Sequence, residues 1–334
     1  MQFHHISNYY EKITVKKMDR RKFIKRTSLA TVGLSISDPI IERLLASTIK
    51  EYNGEIPQRI LGKTNEKISI IGMGGWHVGN IKEEKTALQM ITQAYELGIN
   101  FFDTAFSYND GQSEIRYGKA LKSKRNDIFL MSKSTQRKDT DAEKELEQTL
   151  KRLQTDYLDL WQLHSIKTKE DVDIIFAPGG AYETAAKAKE QGKIRYIGIT
   201  GHYDPYANLE ALKYHELLDT IQMPINLVDP NYRSFIKIAL PEAVKYNLGI
   251  IAMKTIANGR IVKKEVSTPQ ESLTYVWNLP VSVIVSGCDS PMQLSENITT
   301  AKSYKKLSAD EKESILLQTK NLQFKEVEYY KKND

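Results

Sequence analysis

Four side chains in the first half of this 334-residue chain have the types and spacing of a proton-transfer site. Asp103 closes a short apolar, β-prone run at 99–102, and Tyr108 follows it in a loop holding Asn109, Asp110 and Gly111. Lys133 ends the run 127–133, and His164 ends the run 157–164. A carboxylate, a phenol, an ammonium and an imidazole at the carboxyl ends of successive strands is how parallel α/β sheets and barrels build active sites. An ammonium beside the phenol favours phenolate and lowers its pKa, and a carboxylate keeps that ammonium charged and oriented. The imidazole can hydrogen-bond a carbonyl oxygen. Such a set suits protonation of an alkoxide as it forms, which is reduction of a C=O by hydride addition. Taken singly, each residue also has an ordinary role. Asp103 and Tyr108 can cap and cover a turn, Lys133 can be a surface charge or a Schiff-base lysine, and His164 can be a satisfied core histidine.

Bringing the four together requires parallel strands whose mouths converge. From 59 to 75, two short β-like segments flank a Gly62-Lys63-Thr64-Asn65 turn, a hairpin pattern leading into a first buried strand at 70–72. Helical patterns at 83–97, 113–122, 141–153 and 181–191 then precede strands at 99–103, 127–133, 157–164 and 194–200. Helices near 205–216, 232–246 and 269–278 alternate with strands at 220–223, 248–253 and 281–286, and a last helix starts at Pro291. Eight β/α units in about 240 residues predict a closed (β/α)8 TIM barrel with a short N-terminal β-hairpin. A doubly wound open sheet is the alternative, and it needs a glycine fingerprint running directly into a helix after the first strand. Gly72, Gly74, Gly75 and Gly79 lack that spacing, with Trp76 and His77 interrupting them. They read as close backbone approach at a ligand mouth.

Composition narrows the classes further. Hydrophobic and charged fractions of 40% and 27% are those of a soluble globular protein. The net charge of +6 is spread along the chain without an Arg/aromatic stripe, which argues against a nucleic-acid partner. One cysteine, Cys288, excludes an intrachain disulfide and a multi-cysteine metal site, and the six histidines include no zinc-spaced helical pair. No metal is expected. Residues 1–50 read as a leader ahead of a barrel at 51–334 that ends in a helical tail. Asp19-Arg20-Arg21-Lys22-Phe23-Ile24-Lys25, followed by a mildly apolar run at 27–37, resembles a twin-arginine export signal. The run is too short to span a bilayer core of about 30 Å. Export to the periplasm is the expectation if this leader is genuine, and a cytoplasmic location otherwise. An amphipathic basic helix lying on the folded domain is the alternative. Translation starts at Met1 or Met18, and no clean A-x-A cleavage site follows.

Read together, GINFFDTAFSY…SE…GKAL, Lys133 in FLMSKS, DYLDLWQLH, IRYIGIT, Gln222 with Asn226, and SGCDSPMQLSEN resemble the aldo-keto reductase family, in order, over roughly residues 57–305. The resemblance implies Tyr108 as general acid, Lys133 and Asp103 tuning it, and His164 orienting a small carbonyl substrate. It also implies a nicotinamide dinucleotide extended across the barrel mouth without a Rossmann domain. NADP(H) is the first expectation and NAD(H) a plausible second. Cofactor contacts are implied at Gly74, Thr200, Gln222, Met253, Lys254, Gly287, Asp289, Ser290, Gln293, Glu296 and Asn297. Two departures stand out. The family's Ser-Asn pair after the fifth barrel strand is Thr200-Gly201-His202 here, so the Asn amide is missing and His202 is left to compensate. The aromatic that stacks on the nicotinamide after the seventh barrel strand is Met253, followed by Lys254. The pattern is similar to a bacterial branch of the family, some of whose members carry a ferredoxin-like tail; this chain has no cysteines for one. A nicotinamide-binding sensor or interaction subunit on the same barrel is the competing function, and a monomer is the expected state.

Overall fold

The computed structural model describes residues 54–320, 322 and 324–332. The leader expectation for residues 1–50 lies outside them. Strand β1 (Gln58–Ile60) pairs antiparallel with β2 (Lys67–Ser69), Arg59 opposite Ile68. Their connection is a single 3₁₀ turn, Gly62–Thr64, closed by left-handed Asn65. Gly62 has φ +51°, and a Cβ there would stand 2.2 Å from the Gly249 nitrogen, so only glycine lets the turn press against the barrel. Leu61 and Ile68 pack with Phe101, Phe129, Met131, Leu160, Ile251 and Val283. The hairpin is thus an apolar plug on the inward-facing residues of the barrel.

Eight parallel strands form the barrel: β3 (Ile71–Gly74), β4 (Phe101–Asp103), β5 (Phe129–Ser134), β6 (Leu158–Leu163), β7 (Ile194–Thr200), β8 (Thr220–Pro224), β9 (Gly249–Met253) and β10 (Val283–Ser286). They close in the order β10-β3-β4-β5-β6-β7-β8-β9, which excludes the open sheet. Strand side chains alternate between faces, so the inward core residues fix which residues line the mouth above them. Asp103 follows Phe101 by two positions, Lys133 follows Met131 by two, and His164 follows Leu160 by four. Gln222 shares its parity with Thr220, and Met253 with Ile251. The register sets Asp103 level with Met131, Lys133 with Gln162, and Thr200 with Gln222.

The helices depart from the sequence expectations in a few places. The helix expected at 205–216 ends at Ala211 and continues as a 3₁₀ turn, Leu212–Leu217. The one expected at 232–246 is two short helices, Phe235–Ile238 and Leu240–Lys245. Pro241, which lacks an N–H, stands in the first turn of the second. Helix Lys169–Phe176 was not anticipated, although a Thr168/Asp171 capping box opens it. The first barrel strand runs to Gly74 rather than Gly72 and passes straight into a short helix, Gly75–Asn80. Among the described residues, no helix is long and apolar enough to cross a membrane, and no side-chain cluster could hold a metal ion.

Candidate active site

At the carboxyl-terminal mouth the central feature is a buried ion pair. Lys133 Nζ lies 2.7 Å from Asp103 Oδ1 and donates a second bond of 2.7 Å to the Thr104 carbonyl. The two side chains are 1% and 2% exposed. Burial pulls the Lys133 pKa down, and the Asp103 carboxylate opposes that pull. The second carboxylate oxygen of Asp103 accepts a 2.9 Å bond from Gln222 Nε2. Only the amide nitrogen can donate to a carboxylate, so the orientation of Gln222 follows from its partner. Its Oε1 is buried and has no hydrogen-bond partner among the described residues.

Tyr108 opens the 3₁₀ turn Tyr108–Gly111, in which Asn109 and Asp110 are both left-handed at φ 53°. Asn and Asp tolerate this region better than other non-glycine residues. Arg152 steadies the loop by donating 3.2 Å to the Phe106 carbonyl while paired with Glu114. Glu114 itself is fully buried and accepts from Ser132 Oγ on β5 at 2.7 Å. The Tyr108 ring stands edge-on to Trp76 at 5.4 Å between centroids and to His164 at 5.9 Å, with Lys133 Nζ 5.0 Å from its centroid. The expectation that Lys133 lowers the phenol's pKa is not met. Burial of the hydroxyl, and then the Asp103 charge, push it well above its usual value. The reason is geometric. Lys133 directs its donors to Asp103 and Thr104 and faces the ring, and no hydrogen bond joins Nζ to the phenol oxygen among the described residues. The phenol is therefore held protonated.

His164, one residue beyond β6, lies against the same ring. Burial, and then the charge of Lys133, with His202, Lys254 and Arg137 adding to it, hold its pKa well below the ordinary value, so it is neutral near pH 7. Its Nδ1 has no hydrogen-bond partner among the described residues. Thr200 Oγ1 accepts from the Ser165 nitrogen at 2.9 Å and braces the β6–β7 mouth. At Gly201, a Cβ would collide with Asn208 Oδ1 at 1.9 Å; the buried Asn208 amide occupies that space and donates to the Gly201 carbonyl at 3.3 Å. Met253 ends β9. Lys254 beyond it is left-handed, half-buried and without an ion-pair partner among the described residues.

The segment after β10 is knitted to itself. Ser290 caps helix Pro291–Lys302 by accepting from the Gln293 nitrogen, and Gln293 Oε1 accepts from the Asp289 nitrogen at 2.8 Å. Asn297 donates to Ser286 Oγ at 3.1 Å, and burial raises the Glu296 carboxyl. A Cβ at Gly287 would meet His77 Nδ1 at 1.8 Å, and one at Gly74 would meet the Gly287 nitrogen at 3.2 Å, so the residue after β10 lies close against the end of β3 and the helix that follows it. The structure therefore brings Asp103, Tyr108, Lys133, His164 and Gln222 into one contact set, with Thr200, Met253 and Lys254 on adjacent mouths. Gly74, Gly287, Asp289, Ser290, Gln293, Glu296 and Asn297 form a separate stretch along β3, β10 and the following helix. Sequence reasoning missed Thr104, which acts through its carbonyl, and Asn208, which has no local motif.

Residues 70–317 match the profile of the Aldo/keto reductase family. An uncharacterized oxidoreductase of Bacillus subtilis, YqkF, is 27% identical over 310 residues, which cover 79% of this chain and 96% of that protein. L-galactose dehydrogenase of Arabidopsis thaliana is 36% identical over 159 residues, 44% of this chain and 49% of the plant protein. Among solved structures, the holo form of an aldo-keto reductase from Bacillus halodurans gives a TM-score of 0.68 at 25% identity, covering 79% of this chain and 96% of that one.

Proposed function

The chain belongs to the aldo/keto reductase family, oxidoreductases acting on carbonyl compounds, and from that premise we propose that it reduces a small aldehyde or ketone to an alcohol with Tyr108 as proton donor. The observation that carries this reading is the buried Asp103–Lys133 pair under the ring of a protonated Tyr108, with neutral His164 against the same ring. A nicotinamide dinucleotide, NADP(H) first and NAD(H) second, fits the residues at the mouth. Among the described residues, Gln222 Oε1 is a buried acceptor without a hydrogen-bond partner, suited to an amide N–H, and Lys254 has no ion-pair partner, which suits it to a phosphate. When bound, that group supplies the hydride.

The chain's own residues then handle the oxygen. His164 is neutral and can donate one N–H to the carbonyl oxygen, orienting it toward Tyr108. Tyr108 transfers its hydroxyl proton to that oxygen as negative charge builds there. Its high pKa keeps the proton in place until the charge appears. Lys133 stabilises the phenolate left behind, and Asp103, gripped by Gln222, keeps Lys133 from turning away. Incubating the purified full chain with NADPH and a panel of aldehydes and ketones tests the proposal. Cofactor oxidation matched by alcohol formation is expected, and a protein that binds the dinucleotide yet turns over no carbonyl compound refutes it.

A further inference from the structure

The carboxyl-terminal residues 326–332 take no part in the chemistry above, yet they are tied across three consecutive strand mouths. Beyond β9, Arg260 donates to the Glu326 carbonyl at 3.1 Å, and Asn258 Nδ2 to the Tyr329 hydroxyl at 2.6 Å. Beyond β8, Asn226 Nδ2 donates to both Glu328 Oε1 and the Tyr330 oxygen at 2.9 Å. Beyond β7, the Lys332 nitrogen donates to the Tyr203 carbonyl at 2.8 Å. The fastening is a fully buried charge cluster. Lys331 Nζ lies 2.8 Å from Asp229 Oδ1 and 2.7 Å from Glu328 Oε2, all three side chains near 0% exposed or fully enclosed. Taking one charge from such a cluster leaves the others buried and unpaired, so the segment is fixed in place and does not act as a swinging lid.

This clamp holds one buried aromatic ring beside His202 and Lys254. Tyr330 bonds through its hydroxyl to Glu328 at 2.9 Å, stands edge-on to His202 at 6.4 Å and lies 5.2 Å from Lys254 Nζ. His202 stands two residues beyond Thr200 and Lys254 directly follows Met253, on the two mouths where this chain has Gly201 for an amide and Met253 for an aromatic. Between them, β8 carries Gln222. We propose that residues 326–332 form the fixed outer wall of the nicotinamide half of the dinucleotide cleft. Tyr330 is its contact residue, and Asp229, Glu328 and Lys331 are the positioning residues that hold the ring. The inference rests on the dinucleotide reading given above.

Calorimetric titration of the full chain with NADP⁺ and with 2′-phospho-ADP-ribose, which lacks only the nicotinamide, separates the possibilities. Tyr330→Ala leaves the charge cluster intact and is expected to weaken NADP⁺ about tenfold while 2′-phospho-ADP-ribose stays within about twofold. Tyr330→Phe keeps the ring and should bind like wild type. Tyr330→Leu fills the space without an aromatic face, replaces the alanine variant if that variant does not fold, and should show the same selective loss. Equal loss for both ligands, or no loss for either, overturns the wall. If wild type binds neither ligand, the dinucleotide reading itself fails and the wall falls with it.

Discussion

Replacing Lys133 with Met keeps the length and the apolar stem and removes only the ammonium. Asp103 would then lose its 2.7 Å partner and remain 2% exposed, with the 2.9 Å bond from Gln222 as its side-chain support. Stranding one member of a buried pair costs about 3–5 kcal/mol. At roughly 2–4 °C of Tm per kcal/mol for a domain of this size, Lys133→Met should melt roughly 6–20 °C below wild type. Asp103→Asn should be destabilising for the mirror reason, because it strands the ammonium. The double variant carries neither charge, so it should regain at least about half of the single-variant loss, a coupling that a double-mutant cycle measures directly. Turnover should behave differently. Lys133→Met and the double variant should each lose kcat by at least about a hundredfold, because the phenolate has no cation in either. Thermal unfolding by circular dichroism and steady-state rates with NADPH give both readouts. Stability that returns in the double variant while kcat does not is the expected signature. A Lys133→Met protein as stable as wild type, or one that keeps its kcat, refutes the reasoning.

Three further outcomes are expected. Burial, then Lys254 and Lys167, hold His202 down from 6.5 to about 4, so as pH falls through this range the unfolded state takes up the proton first. The stability contribution of neutral His202 is therefore intact above 6.5 and is lost by about pH 4, up to about 3 kcal/mol. Urea midpoints across that window should show the slope, and His202→Gln should flatten it; an equally steep slope in the variant contradicts the assignment. Residues 287–297 hold no Lys or Arg, and Lys302 stands at the far end of helix Pro291–Lys302, about 16 Å along its axis from Pro291. NADH should therefore be used within about tenfold of NADPH, and a thousandfold preference for NADPH would show that another cation reaches the 2′-phosphate. For the leader we propose twin-arginine export. Changing Arg20 and Arg21 to Lys should retain the protein in the cytoplasm, and unchanged cell fractionation would count against it.

The sequence revealed most where local rules suffice. The positions of Asp103 and Lys133 at strand ends followed from the apolar runs that they close. The barrel likewise followed from eight alternating units. Pro241 and the Thr168/Asp171 box were readable signals for a helix break and an extra helix, and both were passed over. The rest depended on contacts between residues distant in sequence. Lys331 meets Asp229 across 102 positions, and in sequence it looks like one more solvated lysine in a polar tail. Asn208 fills the space beside Gly201 only because helix Pro205–Ala211 brings it back to the backbone seven residues earlier. The direction of the Tyr108 shift was misjudged for a similar reason. It depends on where Lys133 sends its donors, and the Thr104 carbonyl carries no signal in residue type.

The role of Tyr108 is tested most directly by Tyr108→Phe, which removes one oxygen and keeps the ring against Trp76 and His164. With the full chain and any carbonyl compound it reduces, kcat should fall by at least about a hundredfold while the Kd for NADPH stays within about twofold. Turnover equal to that of wild type would contradict Tyr108 as the proton donor.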